Sequence, residues 1–198
     1  FGAMAEAESG RFALDDQRLQ AMHRMIRTSS NDDATRVLKW VGEGRLLDWL
    51  QSDRFRFYDA RGAGGLWVGK GYGAEPAYRR DPVRNLSHGA TVYQVARLYT
   101  QLAAGTLFTP RFNALMLDIL GNPGIHHKFV RGLQDVPGVR IFRKSGTWRD
   151  FHADSALVEA NGRRLVMVAI AEHPDAGDWL VRLGARMFAL VNTPAPRP

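Results

Sequence analysis

The sequence predicts an α/β fold in which helices fill the first two thirds and an antiparallel sheet with a covering helix fills the last third. Three observations lead there. Up to about Gly121, apolar residues recur at helical spacing in segments that stop at Gly or Pro. From Val136 the period shortens to that of strands, and Asn161-Gly162 supplies a hairpin signal. After Gly177 the helical period returns. The expectation is a single domain over residues 1–198, with a helical lobe over 11–135 and antiparallel strands plus a C-terminal helix over 136–193.

Phe1 to Gly10 is small and polar and reads as a loop or a remnant. Leu14, Leu19, Met22, Met25 and Ile26 predict a helix ending near Arg27, with Asp15 and Asp16 where acids favour a helix start. Ser29-Ser30-Asn31-Asp32-Asp33 is a cap-rich cluster before a second helix over 32–41, closed by Gly42. A short helix is expected over 44–52. Tyr58 to Arg84 is rich in Gly, carries two Pro, and reads as a long ordered loop of the kind that often serves function. Its aromatics Trp67, Tyr72 and Tyr78 either pin it to the body or line a substrate. Val92, Val95, Leu98, Tyr99 and Leu102 give one face of a helix over 90–104, ended by Gly105. Thr109-Pro110 starts another helix, with Pro at its tolerated first position. The strands are expected at 139–142, 155–159 and 164–172, the last apolar on both faces as a buried strand would be. A final helix covers 177–192, and Thr193 to Pro198 is a Pro-rich tail.

The chain has 198 residues, 45% apolar, with a formal charge of +7 and no Cys. A thiol nucleophile and disulfides are therefore excluded. Arg greatly outnumbers Lys, but the basic residues are scattered rather than blocked, so no nucleic-acid partner is expected. No run is long and apolar enough for a transmembrane segment. His126-His127 lacks spaced partners for a metal, and no phosphate-binding or dinucleotide fingerprint is present, so neither metal nor organic cofactor is expected.

Two stretches carry chemistry. Lys144-Ser145-Gly146-Thr147 closes the first predicted strand. It puts an ammonium, a hydroxyl and an approachable backbone together, which suits a ligand with a carboxylate and a carbonyl. Ser29-Ser30-Asn31 lies far upstream, and a helix cap is its bland reading. The order of helix, Ser-x-Asn, helix, Gly-rich loop, two helices, strand with Lys-Ser-Gly, hairpin and helix resembles the serine β-lactamase and penicillin-binding-protein superfamily. The branch it is most similar to is class A β-lactamase. That family carries S-x-x-K, S-D-N and K-T-G in this order. Ser29-Ser30-Asn31 matches the second motif and Lys144-Ser145-Gly146 the third, and the resemblance covers Leu14 to Val191.

The resemblance implies a β-lactamase-like fold and acyl-enzyme chemistry on β-lactams or peptidoglycan-type D-amino-acid amides, in the periplasm or outside the cell. It implies that Ser29 relays a proton to the leaving nitrogen with Lys144 beside it. Asn31 would bind the substrate amide carbonyl, Ser145 its carboxylate, and Thr147 would lend a backbone N–H to an oxyanion hole next to Gly146. Two departures stand out. No Ser here is followed by Lys three residues on. The nucleophile segment and the first strands and helix of the fold are thus expected to be missing, which leaves this chain inactive alone, with that segment as its natural partner. The family also places a water-activating Glu in the loop, and only Glu75, beside Pro76, is a fair candidate. The rival reading is a non-catalytic relative that binds cell-wall peptide through Asn31, Lys144 and Ser145.

Overall fold

A computed structural model describes residues 1–192, so the expected Pro-rich tail lies outside the described residues. The chain divides into two compact units, Phe1–Ile119 and the part from Leu120 onward.

The first unit is mainly helical. The start of the chain corrects the sequence expectation: it is a helix, α1 (Gly2–Glu8), with Ala3, Met4 and Ala5 buried. Small residues make it possible. Gly2 lies close against Leu46, where a Cβ would stand 2.7 Å from Leu46 Cδ1 and push that side chain aside. Glu6, 1% exposed, is satisfied by the Arg11 fork at 2.9 and 3.1 Å and by Trp49 Nε1 at 2.6 Å. A buried carboxylate survives only with such donors.

Helix α2 (Asp16–Arg27) starts at Asp15, whose carboxylate accepts the Arg18 N–H at 2.8 Å. Helix α3 (Asn31–Val41) and α4 (Glu43–Gln51) meet at Gly42, whose φ of 92° lies where side chains resist. Their apolar faces bury Val37, Leu38, Val41, Leu47 and Leu50. Residues 52–91 hold no helix, only the two-residue ladders β1 (Tyr58–Asp59) with β2 (Gly64–Gly65) and β3 (Trp67–Val68) with β4 (His88–Gly89). Two of the three loop aromatics pin this segment. Trp67 is buried and donates from Nε1 to Arg79 O at 3.1 Å, and Tyr78 Oη donates to Val68 O. Tyr72 stays exposed. Helix α5 (Val92–Ala104) is capped by Thr91 and ended by Gly105 in the left-handed conformation, as its sequence signals require. Helix α6 (Pro110–Leu120) follows.

The second unit holds a short helix, α7 (Phe129–Gly132), which no periodic pattern announced, and a three-stranded antiparallel sheet ordered β5 (Arg140–Trp148), β6 (Phe151–Ala160), β7 (Arg163–Glu172). The first strand corrects the sequence reading. It does not stop at Phe142 but runs through the Lys-Ser-Gly stretch, because β6 begins early enough to pair with every residue of it, Lys144 with Ser155 and Gly146 with Ala153. Asn161 and Gly162, with φ of 52° and 70°, make the β6–β7 turn of the type the dipeptide favours. Helix α8 (Ala176–Asn192) covers one face of the sheet. There Phe129, Leu133, Ala156, Val158, Met167 and Leu180 form the buried core. Two glycines let α7 and α8 touch backbone to backbone. A Cβ on Gly132 would lie 2.3 Å from Val181 O, and one on Gly184 2.8 Å from Phe129 Cδ1.

Candidate active site

One group of candidate residues is in the first unit, at the turn between α2 and α3. Ser30, not Ser29 or Asn31, is the N-cap, its Oγ accepting the Asp33 N–H at 3.2 Å. The cap reading is thus filled by the middle residue, and its two neighbours are released from it. Asn31 is exposed at the first position of α3, and Ser29 is half-buried. Ser29 also has a φ of 57°. A residue other than Gly or Asn pays roughly 1–2 kcal/mol to stay left-handed, and such outliers cluster at functional sites. Arg24 holds the turn from both sides. Its carbonyl accepts the amides of Thr28 and Ser30 at 3.1 and 3.3 Å. Its guanidinium grips Asp33 at 2.7 and 2.9 Å, and Arg36 adds a contact to Asp33 at 3.2 Å. The Arg24 fork first, then the other donors, hold the Asp33 carboxyl down at about 2.

The candidate loop acid Glu75 lies on the surface of this unit, exposed, with Lys39 Nζ at 3.1 Å. The loop meets α3 again where the Tyr72 N–H donates to Thr35 Oγ1 at 2.8 Å.

The other group is in the second unit, where Lys144, Ser145, Gly146 and Thr147 are consecutive residues of β5. Lys144 Nζ donates to Ser145 O at 2.5 Å. Beneath the strand, on the α8-covered face, sits a buried charge cluster. Arg143 and Asp154 are 3% and 0% exposed in their side chains and meet through a fork at 2.8 and 3.0 Å. Asp154 also accepts the Phe129 and Ser155 amides, both at 3.0 Å. Burial pushes its carboxyl above the usual range, opposed by the Arg143 fork, the Phe129 amide and Lys128. Arg143 donates further to the carbonyls of Ile125 and His127, at 2.9 and 3.3 Å, which fixes the approach to α7.

That approach delivers a residue the sequence reading passed over. Lys128, 3% exposed, sends Nζ to Gly146 O at 2.6 Å, Thr147 Oγ1 at 2.8 Å and Ala153 O at 3.1 Å. It therefore braces the Lys-Ser-Gly-Thr stretch from below. Its backbone is also left-handed, with φ at 52°. The one signal available in the sequence was scarcity: few Lys occur in this Arg-rich chain.

Three cations thus share one carboxylate. Burial first, and then the neighbouring Arg143, bring Lys144 down to about 8, with Lys128 adding to it and Asp154 opposing. Lys128 is likewise lowered to about 8 by burial and Arg143. His127 is brought to about 4, chiefly by burial and then by Arg143, Lys128 and Lys144, so it stays neutral and adds no charge. An excess of buried positive charge under an open strand favours an anionic ligand. Among the described residues no group of acidic, His or Cys side chains could hold a metal ion, and no helix is long and apolar enough to cross a membrane.

The architecture has known counterparts. The β-lactamase from Sphaerobacter thermophilus is 18% identical, with a TM-score of 0.69 over 90% of this chain and 64% of that one. A variant of the last common ancestor of Gram-negative bacterial class A β-lactamase is 17% identical, with a TM-score of 0.71 over 96% of this chain and 79% of that one. PBP-A is 18% identical, with a TM-score of 0.64 over 88% of this chain and 60% of that one. These likenesses establish a β-lactamase fold, of which the chain spans less than two thirds of the S. thermophilus and PBP-A lengths. The chain belongs to the beta-lactamase enzyme family, whose model matches residues 17–189. A search of curated proteins found no match.

Proposed function

We propose that this chain carries the proton-relay and substrate-binding half of a serine hydrolase of the cell envelope, acting on β-lactams or peptidoglycan-type D-amino-acid amides through an acyl-enzyme. The observation that carries the reading is the cation cluster under β5. Lys144, with Arg143 and Lys128 buried behind the strand, suits a substrate carboxylate at Ser145, and the open backbone at Gly146-Thr147 suits a carbonyl oxygen. Ser29 and Asn31 are proposed to face Lys144 across one cleft, Ser29 relaying the proton and Asn31 holding the amide carbonyl. The strained Ser29 backbone supports this, since its cap role is already taken by Ser30. Glu75 is the proposed loop acid, exposed and paired with Lys39 in this structure.

The attacking Ser-x-x-K pair is not among these 198 residues. Acyl transfer needs a hydroxyl activated by a neighbouring base, so a segment carrying that pair, in cis or as a second chain, is proposed to complete the enzyme. Incubation with a penicillin-like acylating probe, followed by intact-mass measurement, tests the scheme. The chain alone is expected to gain no mass. With the Ser-x-x-K segment supplied it should label, and Lys144→Ala should weaken labelling at least 100-fold, the order expected for losing a transition-state donor. A stoichiometric adduct on the chain by itself would show that the nucleophile is misplaced. Because the chain has no Cys, a Ser29→Cys, Lys144→Cys pair and a short bis-maleimide test the shared cleft directly, and absence of cross-link would end that part of the proposal.

A further inference from the structure

The sheet of the second unit has two edges. β5 carries the Lys-Ser-Gly stretch at one, and β7 lies at the other. Among the described residues no strand pairs with the outer side of β7. Arg163 to Glu172 therefore offer a row of backbone donors and acceptors. Such an edge is a template for another strand unless Pro, a bulge or a charge spoils it. The interior of β7 has none of the three. Leu165 to Ala171 is unbroken and apolar, and it pairs with β6 residue for residue.

The helix above this edge is also unfinished. Leu180 and Met187 pack on the sheet core, and Gly184 seats α8 against Phe129 of α7. α7 in turn is tied to β5 and β6, through Lys128 Nζ to Gly146 O and the Phe129 amide to Asp154. At about 100° per residue, Trp179, Leu183 and Leu190 fall on the side of α8 away from α7, above β7. They are 41%, 40% and 80% exposed. Arg186 lies at the margin of the same stripe, on the side farther from the sheet.

Edge and stripe form one ledge, and the ledge is self-complementary. Two copies joined β7 to β7 in antiparallel fashion share a two-fold axis perpendicular to the sheet, and one residue then faces itself. Centring on Val168 sets Arg164 against the partner's Glu172 and Val166 against the partner's Ile170, twice each. Charge favours that register. Glu159 already takes both Arg140 and Arg164, while Glu172 has no ion-pair partner among the described residues. Moving the centre by one residue sets Arg164 against Ile170 or Pro174 instead. The helices agree with the strands. α8 lies over the gap between β6 and β7, where Ala156 and Met167 pair beneath it. Two strand spacings, about 10 Å, then separate α8 from its mate, which is the distance at which helices pack. α8 runs back along β7, since Arg163 donates to Val191 O. Trp179 of one copy thus falls beside the partner's Leu190.

We propose that this ledge joins two copies of the chain into a symmetric dimer with one continuous six-stranded sheet. Lys144 and its neighbours are left at the two outer edges, so the proposal does not depend on the relay reading.

Sedimentation equilibrium on the 198-residue chain at micromolar concentration should give twice the 22.1 kDa of one chain. Arg164→Glu and Glu172→Arg, each alone, place like charges across the axis and should weaken the dimer about tenfold. The two together should restore it. Because the chain has no Cys, Val168→Cys gives a second readout. Opposed strand residues lie within disulfide range, so mild oxidation should link two Val168→Cys chains, while Gln134→Cys, exposed after α7, should stay unlinked. A folded chain that sediments as a monomer would overturn the proposal. So would a dimer that ignores both charge reversals and leaves Val168→Cys unlinked, since another face would then hold it. If the chain stays a monomer and an added Ser-x-x-K segment slows β7 amide exchange, the edge has a different occupant and the dimer is wrong.

Discussion

Each of the two units holds its candidate residues with an Arg–Asp fork, and the two forks are built differently. Arg24–Asp33 ties α2 to the first turn of α3 behind Ser29 and Asn31, with the guanidinium nearly half exposed. Arg143–Asp154 ties β5 to β6 and to α7 behind Lys144, with both partners out of water. The first fork keeps a strained turn in shape while water screens it. The second fork fixes a buried charge cluster around Asp154. In the first fork Asp33 is buried and only Arg24 is exposed, so losing Asp33 leaves a cation that water can solvate, whereas the second fork cannot be halved without stranding a buried partner.

The largest expected effect breaks the second fork. Asp154→Ala leaves Arg143, Lys128 and Lys144 without a buried counter-charge, and removing one partner of a buried pair costs about 3–5 kcal/mol. Chemical denaturation should show that loss, with a much smaller fall in midpoint for Asp33→Ala. Equal losses would show that the two forks are energetically alike.

A smaller effect sharpens the first half. Ser29→Gly removes the left-handed penalty and should raise stability by up to about 1 kcal/mol, visible as a higher thermal midpoint. The same variant should lose labelling once the enzyme is completed with its Ser-x-x-K segment. A stabilised chain that still labels fully would leave Ser29 as a turn residue only.

The remaining effects lie at opposite ends of the pH scale. The Asp33 carboxyl is held at about 2, below its ordinary range. The stability it contributes is present above pH ~4 and fades as pH falls toward 2. Lys128 and Lys144 sit near 8, below their ordinary value. Between pH 8 and about 10.5 the unfolded chain holds protons there that the folded chain does not, so stability should rise with pH across that window. Denaturation midpoints in acid for Asp33→Asn, and from pH 7 to 10 for Lys128→Met, should each flatten one end. A slope of the opposite sign at the alkaline end would overturn the account of the cation cluster.

What was legible beforehand follows from how local each cause is. Thr91, Gly105 and Asn161-Gly162 act within a few residues, and the helix and hairpin they announce are where they should be. The Lys-Ser-Gly stretch was visible as chemistry, but its full strand was not, because β6 supplies the pairing. Helix α1 was missed because Gly2, Ala3 and Ala5 show no apolar stripe and are buried through close backbone approach. Lys128 was missed because its three acceptors lie 18 to 25 residues away, beyond the reach of any local pattern.

The close seat of α7 against α8 has a consequence for inheritance. Gly132 and Gly184 are spacers of zero size between two helices, and they carry no charge, hydroxyl or ring. A methyl on Gly132 would press on the α8 backbone and one on Gly184 would press on Phe129, which Lys128 precedes in the chain. Selection on what Lys144 and its neighbours do would therefore act on silent-looking glycines of two helices that bear none of the proposed site residues. A mutational screen for lost activity should return hits there, in a place where an inventory of reactive groups would never look.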